Sequence, residues 1–413
     1  MTSEAAIAPI GAALLLALIP LVLIGWNLVL LRRLPRRGSA MRVSVLIPAR
    51  NEAHNIGAAI ESVLESSHGD LELLVADDGS TDETAAIVRG YAGRDRRVRL
   101  LQPERHDPTL WGKPQVLAEI AELAGGDCLL FMDADVRLQP DAVGRIAAAL
   151  ERSGAAMLSG VPRQQLGGLG EKLVVPLIPF ILLGFLPLAG MRRSRDARFG
   201  VACGQLLAVR RDAYAATGGH RRIADRIHDG MALARSFRQT GRTTDIADFS
   251  DLADCRMYRS TREVIAGFAK NAHEGLGSPR GIAPWTLLLI GGQCAWLALL
   301  PLAGSGPLPA AALGLAAAAT YAARLLVDLR FRQLTRGTLL HPVGVLMLVM
   351  IQWYALARRL TGHPIAWKAR VAHEEPTSPA PADPTPRKPG EALRLRSRTR
   401  RDGSSRQRRL LAR

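Results

Sequence analysis

The stretch Asp127-Cys128-Leu129-Leu130-Phe131-Met132-Asp133-Ala134-Asp135 decides the fold. An apolar run this short, bounded by polar residues, reads as a buried strand. It ends on two carboxylates one residue apart. Side chains two positions apart on a strand point the same way, so Asp133 and Asp135 at its exposed end are expected to face one cation. Oxygen ligands suit hard ions such as Mg²⁺ or Mn²⁺, which bridge to substrate phosphates. A lone D-x-D recurs by chance, so its meaning depends on what surrounds it.

Upstream lie two further units of the same design. Val43-Ser44-Val45-Leu46-Ile47-Pro48 is a run of strand formers that stops at Ala49-Arg50-Asn51-Glu52. From Asn55 to Leu64, Ile56, Ile60, Val63 and Leu64 recur at helical spacing. Leu71 to Ala76 is a second strand, running into Asp77-Asp78-Gly79-Ser80-Thr81-Asp82. Strand, helix, strand is one parallel unit, and the ligands of such sheets bind beyond the carboxyl ends of the strands. The second loop also reads as an ordinary turn followed by a helix N-cap. Three strands ending in acidic or polar loops predict an α/β domain over residues 42–278.

These motifs, in this order, resemble the family 2 glycosyltransferases, whose fold is the nucleotide-diphospho-sugar transferase, or A-type, fold. The resemblance runs from about Val43 to Leu276 and implies a role for each matching residue. Pro48, Arg50, Asn51 and Glu52 match the first nucleotide loop, and Asp77 and Asp78 the acidic pair that contacts the nucleoside. Gly112 and Lys113 match a Gly-Lys near the nucleotide, and Asp133 and Asp135 the pair that holds the divalent metal on the diphosphate. Gly204 and Gln205 belong to an acceptor-side block that continues to His228-Asp229, where Asp229 falls at the position of the general base. Position 228 is His where the family has Glu, and no Gln-x-x-Arg-Trp of the processive polysaccharide synthases is present. The resemblance implies a single inverting transfer from a nucleotide-diphospho-sugar. It is nearest to the subgroup that glycosylates carotenoid, hopanoid or ceramide-like lipids.

Outside the soluble block the composition changes. Residues 5–31 are uncharged and are followed by Arg32, Arg33, Arg36 and Arg37, which predicts an uncleaved transmembrane helix with its C-terminal end, and the catalytic domain, in the cytoplasm. Residues 281–323 are also uncharged and are expected to form two passes joined at Gly304-Ser305-Gly306-Pro307. Residues 337–357 are long enough for another pass. Three crossings after the domain would place Arg358, Arg359 and Lys368 outside, against the positive-inside rule, so residues 337–357 are expected not to span fully. The C-terminal membrane region is thus 282–357. Residues 173–191 carry Pro176, Pro179 and Pro187 and are expected to lie in the interface, lining an acceptor entrance with side chains such as Phe180 and Phe185. Residues 371–413 hold six prolines and eleven basic against five acidic residues, a disordered basic tail.

The chain of 413 residues is therefore expected in the cell membrane as a multi-pass protein, with a sugar nucleotide, a lipid acceptor and the bilayer as partners. Its net charge of +17 accompanies 48% hydrophobic residues, a pairing that suggests a membrane protein with cationic flanks rather than a nucleic-acid binder. The tail lacks interleaved aromatics to stack bases, so no nucleic-acid partner is expected. Four scattered cysteines form neither a disulfide framework nor a zinc motif. Other readings of the same residues are a catalytically idle nucleotide-sugar-binding membrane module, a polysaccharide or polyprenyl-phosphate glycosyltransferase, and a nucleotidyltransferase. The last would need a glycine-rich phosphate loop that Pro48 to Glu52 does not provide.

Overall fold

The computed structural model describes residues 3–103, 107, 110–362, 366–367 and 370–371. The basic tail after 371 lies outside these residues, as does Lys368. Ten strands precede the C-terminal helices: β1 (Val43–Ala49), β2 (Leu71–Asp77), β3 (Val98–Leu101), β4 (Cys128–Met132), β5 (Val136–Leu138), β6 (Met157–Val161), β7 (Arg163–Gln164), β8 (Leu206–Arg210), β9 (Thr244–Asp248) and β10 (Ala253–Cys255). Seven form the main sheet in the order β3-β2-β1-β4-β8-β6-β9, and β5-β10-β7 form a small second sheet. β1 pairs in parallel with both β2 and β4, so the chain reverses its winding there and opens a crevice at the carboxyl ends of these strands. Every residue of β4 and all but one of β1 are buried, as apolar runs covered on both faces should be.

The D-x-D sits differently from the expectation. β4 ends at Met132, and Asp133 and Asp135 lie on the turn that leads into β5. The two carboxylates owe their proximity to this turn and not to strand alternation. The Asp133 N–H donates to the carbonyl of Gln205, the residue just ahead of the antiparallel neighbour β8, at 2.9 Å, and this fixes the turn over the crevice.

Among the described residues three helices are long and apolar enough to cross a membrane: Ala6–Leu30, Pro307–Arg330 and His341–Leu360. On the first of them Leu15, Val22, Trp26 and Val29 are exposed. The irregular element is residues 282–305, where the sequence predicts a plain pass. It forms a short apolar helix, Ile282–Gly291, widened to a π-helix over Leu287–Gly291, and breaks at Cys294. The freed Gly292 carbonyl accepts from Thr320 Oγ1 at 3.3 Å, and Gln293 Oε1 meets His341 Nε2 at 3.3 Å. Backbone released from a helix among buried apolar side chains needs such partners. The broken stretch still follows the first helix to its start, since Leu299, Leu302 and Ala303 pack with Ala6 and Ile10.

Residues 173–191 are equally tied down. They form the helices Leu177–Phe185 and Leu188–Arg193, and the break between them is held by Asn27 of the first helix. Asn27 Nδ2 donates to the Leu183 and Leu186 carbonyls at 2.7 Å each, and its Oδ1 accepts from the Leu188 N–H at 3.1 Å. Phe180 corrects the expectation that it lines an entrance, because it is 0% exposed and stacks edge-on against His341. Phe185, half-buried, packs on Trp285. The helix His341–Leu360 is one unbroken rod. It packs on Leu169–Val174 and Thr261–Asn271 of the soluble domain, and Gly344 approaches the Leu173 carbonyl so closely that a Cβ there would lie 2.4 Å from it.

Candidate active site

The crevice gathers most of the sequence-predicted residues. Pro48 lies in β1 opposite Ala76 and delivers the chain to Arg50, whose Nη1 donates to the Asp78 carbonyl at 3.1 Å. Asn51 takes a left-handed conformation, φ +52°, and is held by two hydrogen bonds: its N–H to Ser80 Oγ, and the Thr81 N–H to its Oδ1. Glu52 accepts from Asn55 Nδ2 at 2.8 Å. Asp77 accepts from the Ser80 N–H and from Gln102, and Asp78 is buried beside it. The first and second loops thus form one hydrogen-bonded rim. The turn reading of the second loop also holds, since Asp82 accepts from the Thr84 N–H where helix Thr84–Ala92 begins.

At the centre, Lys113 bridges two carboxylates. Its Nζ lies 2.7 Å from Asp133 Oδ1 and 2.9 Å from Asp229 Oδ2. Lys113 stands in the first turn of helix Gly112–Glu122, and Asp229 opens helix Asp229–Gln239, where the helix dipole favours a carboxylate. Burial works against the ammonium, but the two carboxylates outweigh it and raise its pKa. Burial likewise pushes the Asp229 carboxyl up, yet Lys113, with His220 and His228, overcomes this and lowers it to about 2. For Asp135, burial first and then the charges of Asp133 and Glu52 push the carboxyl up to about 7. Its Oδ1 is buried with no hydrogen-bond partner. An anionic cluster with one orphaned oxygen and one lysine in place of a metal fits a hard divalent cation that would complete its shell with substrate phosphate and water. Among the described residues no group of three or more His, Cys, Asp or Glu side chains encloses an ion by itself.

Gly204 explains itself by contact. A Cβ on it would lie 3.0 Å from Asp229 Oδ1, tighter than an ordinary contact, so a larger residue there would press on the Asp229 carboxylate. Gln205 stands behind the site, with its side chain on Gln164, Cys203 and Cys255 and its carbonyl holding Asp133. His228 is half-buried and its imidazole pKa is lowered by burial, against the pull of Asp229 and Glu274.

Two residues that the sequence reading missed shape the base. Glu274 accepts from the Ile227 and His228 N–H groups at 3.0 and 2.8 Å, fixing the loop that leads into Asp229. His220 is buried with its Nδ1 2.9 Å from the Tyr214 hydroxyl, and burial lowers its pKa to about 4 against the pull of Asp229. Glu274 lies 45 positions after Asp229 and carries no local sequence pattern that marks it.

Residues 44–218 match the family described as Glycosyl transferase family 2. Over this stretch the chain is similar to the family 2 glycosyltransferases. The match stops short of Asp229. Over 264 residues the chain is 26% identical to a 4,4'-diaponeurosporenoate glycosyltransferase of Staphylococcus aureus, covering 62% of this chain and 68% of the relative. It is 27% identical over 261 residues to the Staphylococcus haemolyticus protein of the same name, covering 60% and 64%. Among solved structures, the mannosyltransferase PcManGT of Pyrobaculum calidifontis, in complex with GDP-Man and Mn²⁺, superposes with a TM-score of 0.52 at 20% identity. That superposition covers 86% of this chain and 99% of the other, and it establishes the shared A-type fold of the glycosyltransferase domain.

Proposed function

We propose that the protein transfers one sugar from a nucleotide-diphospho-sugar to a membrane lipid, with inversion, at the cytoplasmic face of the cell membrane. The observation that carries this reading is the Lys113 bridge between Asp133 and Asp229 beside the orphaned oxygen of Asp135. It is a site already arranged around positive charge where a diphosphate would leave.

In this reading the rim from Arg50 to Asp78 receives the nucleoside, and Asp133 and Asp135 hold Mg²⁺ or Mn²⁺. The ion, when bound, neutralises charge developing on the departing diphosphate. Lys113 is within reach of that diphosphate, and turning toward it would release Asp229 from its ion pair. Asp229, freed of its strongest partner and still buried, then becomes a better proton acceptor. It takes the proton of an acceptor hydroxyl as that oxygen attacks the anomeric carbon from the face opposite the leaving group. Glu274 keeps the base in place.

The acceptor assignment draws on the staphylococcal relatives, which are named for glycosylation of 4,4'-diaponeurosporenoate, a carboxylate. That name also favours a second acceptor chemistry. A carboxylate acceptor arrives already ionised and needs no base, so Asp229 would then act by position and charge alone.

For topology, we read the first helix, the broken stretch 282–305 and helix Pro307–Arg330 as three crossings, and helix His341–Leu360 as lying along the interface. The apolar residues Leu346, Met350 and Trp353 are exposed on that helix, while its Ile351 and Ala355 pack on Ala269 and Ala272 of the domain. Arg330 pairs with Asp248 at 2.9 Å, which returns this crossing to the side of the domain. The tail then falls on the cytoplasmic side, in accord with the positive-inside rule. Incubating membranes with a panel of labelled sugar nucleotides and extracting the lipids tests the proposal. Label in an organic-soluble product supports it, and label only in water-soluble products rejects it.

A further inference from the structure

We infer that a second site, remote from the crevice, holds the phosphate of an anionic phospholipid. A cavity of about 550 Å³ is lined by Arg33, Arg36, Arg145, Arg330 and Arg332. Asp248 and Asp251 share it and pair with Arg330 and Arg332 at 2.9 and 2.7 Å. Arg145 pairs besides with Asp141 at 2.8 Å, so five guanidinium groups stand against three carboxylates and the cavity keeps a positive excess carried by Arg33 and Arg36. The site lies beside edge strand β9, which β8 and β6 separate from β4, so it shares no residue with the catalytic crevice.

Its walls come from the ends of two membrane helices. Arg33 and Arg36 follow the first helix, and Arg330 and Arg332 close helix Pro307–Arg330. Both helices reach the domain here, through Arg32 to Asp245 and Arg330 to Asp248. Arg145 donates through Nε to the Pro35 carbonyl at 2.8 Å, which fixes the segment carrying Arg33 and Arg36 over the cavity. Planar guanidinium forks suit phosphate oxygens, and a basic pocket between helix ends on the cytoplasmic side suits a lipid headgroup.

Arg332 adds an independent sign. It adopts a left-handed conformation, φ +55°, immediately after the helix ends, where glycine or asparagine would sit without strain. Its surface pair with Asp251, some 60% exposed on each side, is of a kind that contributes little to stability. A strained arginine kept at such a position is accounted for by a charge that the cavity uses.

The inference rests on the proposed crossings, and the experiment separates the two. The full chain is reconstituted into vesicles of phosphatidylcholine with or without phosphatidylglycerol, re-extracted, and its retained lipid quantified. Wild type should retain phosphatidylglycerol selectively. The variant Arg33→Gln/Arg36→Gln/Arg332→Gln should lose roughly tenfold or more of it, while Arg358→Gln/Arg359→Gln should not. Arg332→Gly alone should raise the melting temperature, by relieving the backbone, and lower retention. A purely structural arginine would not move the two in opposite directions. Equal retention by wild type and triple variant overturns the inference. So does stabilisation by inorganic phosphate in lipid-free detergent equal to that by phosphatidylglycerol, which would assign a soluble anion. Failure of the protein to enter the vesicles would instead overturn the crossings.

Discussion

Two buried ion clusters in this protein look alike on paper and differ in one respect. In the crevice, Lys113, Asp133 and Asp229 form a chain of short ion pairs, yet the Lys113 and Asp133 side chains remain 36% and 29% exposed. Among the helices, Arg324 and Asp328 pair at 2.7 Å with no exposure at all. Asp328 also accepts from Thr338, and Arg324 faces His341, so the second cluster joins helix Pro307–Arg330 to the segment that follows it. A charge cluster that keeps an open side is available to a ligand, whereas a closed one fixes geometry. Burial alone does not tell function from architecture; the accessible remainder does.

Substitutions can break this comparison. The largest effect is expected at Asp229. If the acceptor is a hydroxyl, Asp229→Asn should lower turnover by a factor on the order of 10² to 10⁴ with donor binding nearly intact. A carboxylate acceptor should show a loss of about tenfold or less, because no proton has to be removed. Comparable loss of donor binding and of rate would make Asp229 a structural carboxylate.

In the closed cluster the outcome should be the reverse. Arg324→Met leaves Asp328 buried without its partner and should cost about 3 to 5 kcal/mol of stability, seen as loss of folded protein in detergent. Arg324→Met/Asp328→Leu should recover most of it. If the single variant were as stable as wild type but inactive, Arg324 would belong to the site.

Acid sensitivity gives a smaller effect. Burial lowers the His220 pKa from 6.5 to about 4, so the folded protein holds it neutral while the unfolded chain takes up a proton. The stability it contributes is complete above 6.5 and is lost as pH falls toward about 4, by up to about 3 kcal/mol. Replacing His220 with Gln should flatten that part of the melting-temperature profile. An unchanged slope would show that another group titrates there.

The smallest effect has the opposite sign. Asp135→Asn removes a buried, repelled carboxylate and should leave the metal-free protein as stable as wild type or more so, while metal-dependent donor binding is lost. A marked fall in melting temperature without metal would place Asp135 in the architecture.

How much of this was legible in the sequence depends on the range of the interaction. β1, β2 and β4 were readable to within a residue at either end because their signal is local: apolar runs closed by polar loops. Asp133, Asp135, Asp229 and Lys113 were readable as candidates through the order of the motifs. Their meeting at Lys113 was not, since residues 113, 133 and 229 share no local pattern. Glu274, His220 and Asn27 escaped for the same reason. Asn27 satisfies carbonyls 156 and 159 positions away, a debt created by a distant break in the chain. The long apolar helices and the joint near Gly304-Ser305-Gly306-Pro307 were legible by hydropathy, but the irregularity before the joint was not: the Gly292 carbonyl beside the break at Cys294 is satisfied by Thr320, and hydropathy does not register such a partner.

The central claim is that the open cluster moves sugar onto lipid. It is tested most directly by incubating membranes holding wild type, Asp135→Asn or Asp229→Asn with labelled sugar nucleotide and Mn²⁺ and counting label in the organic extract. Wild type should give labelled lipid, abolished by a chelator, near background with Asp135→Asn and strongly reduced with Asp229→Asn for a hydroxyl acceptor. Undiminished lipid labelling by Asp135→Asn, or label confined to water-soluble products with wild type, would contradict it.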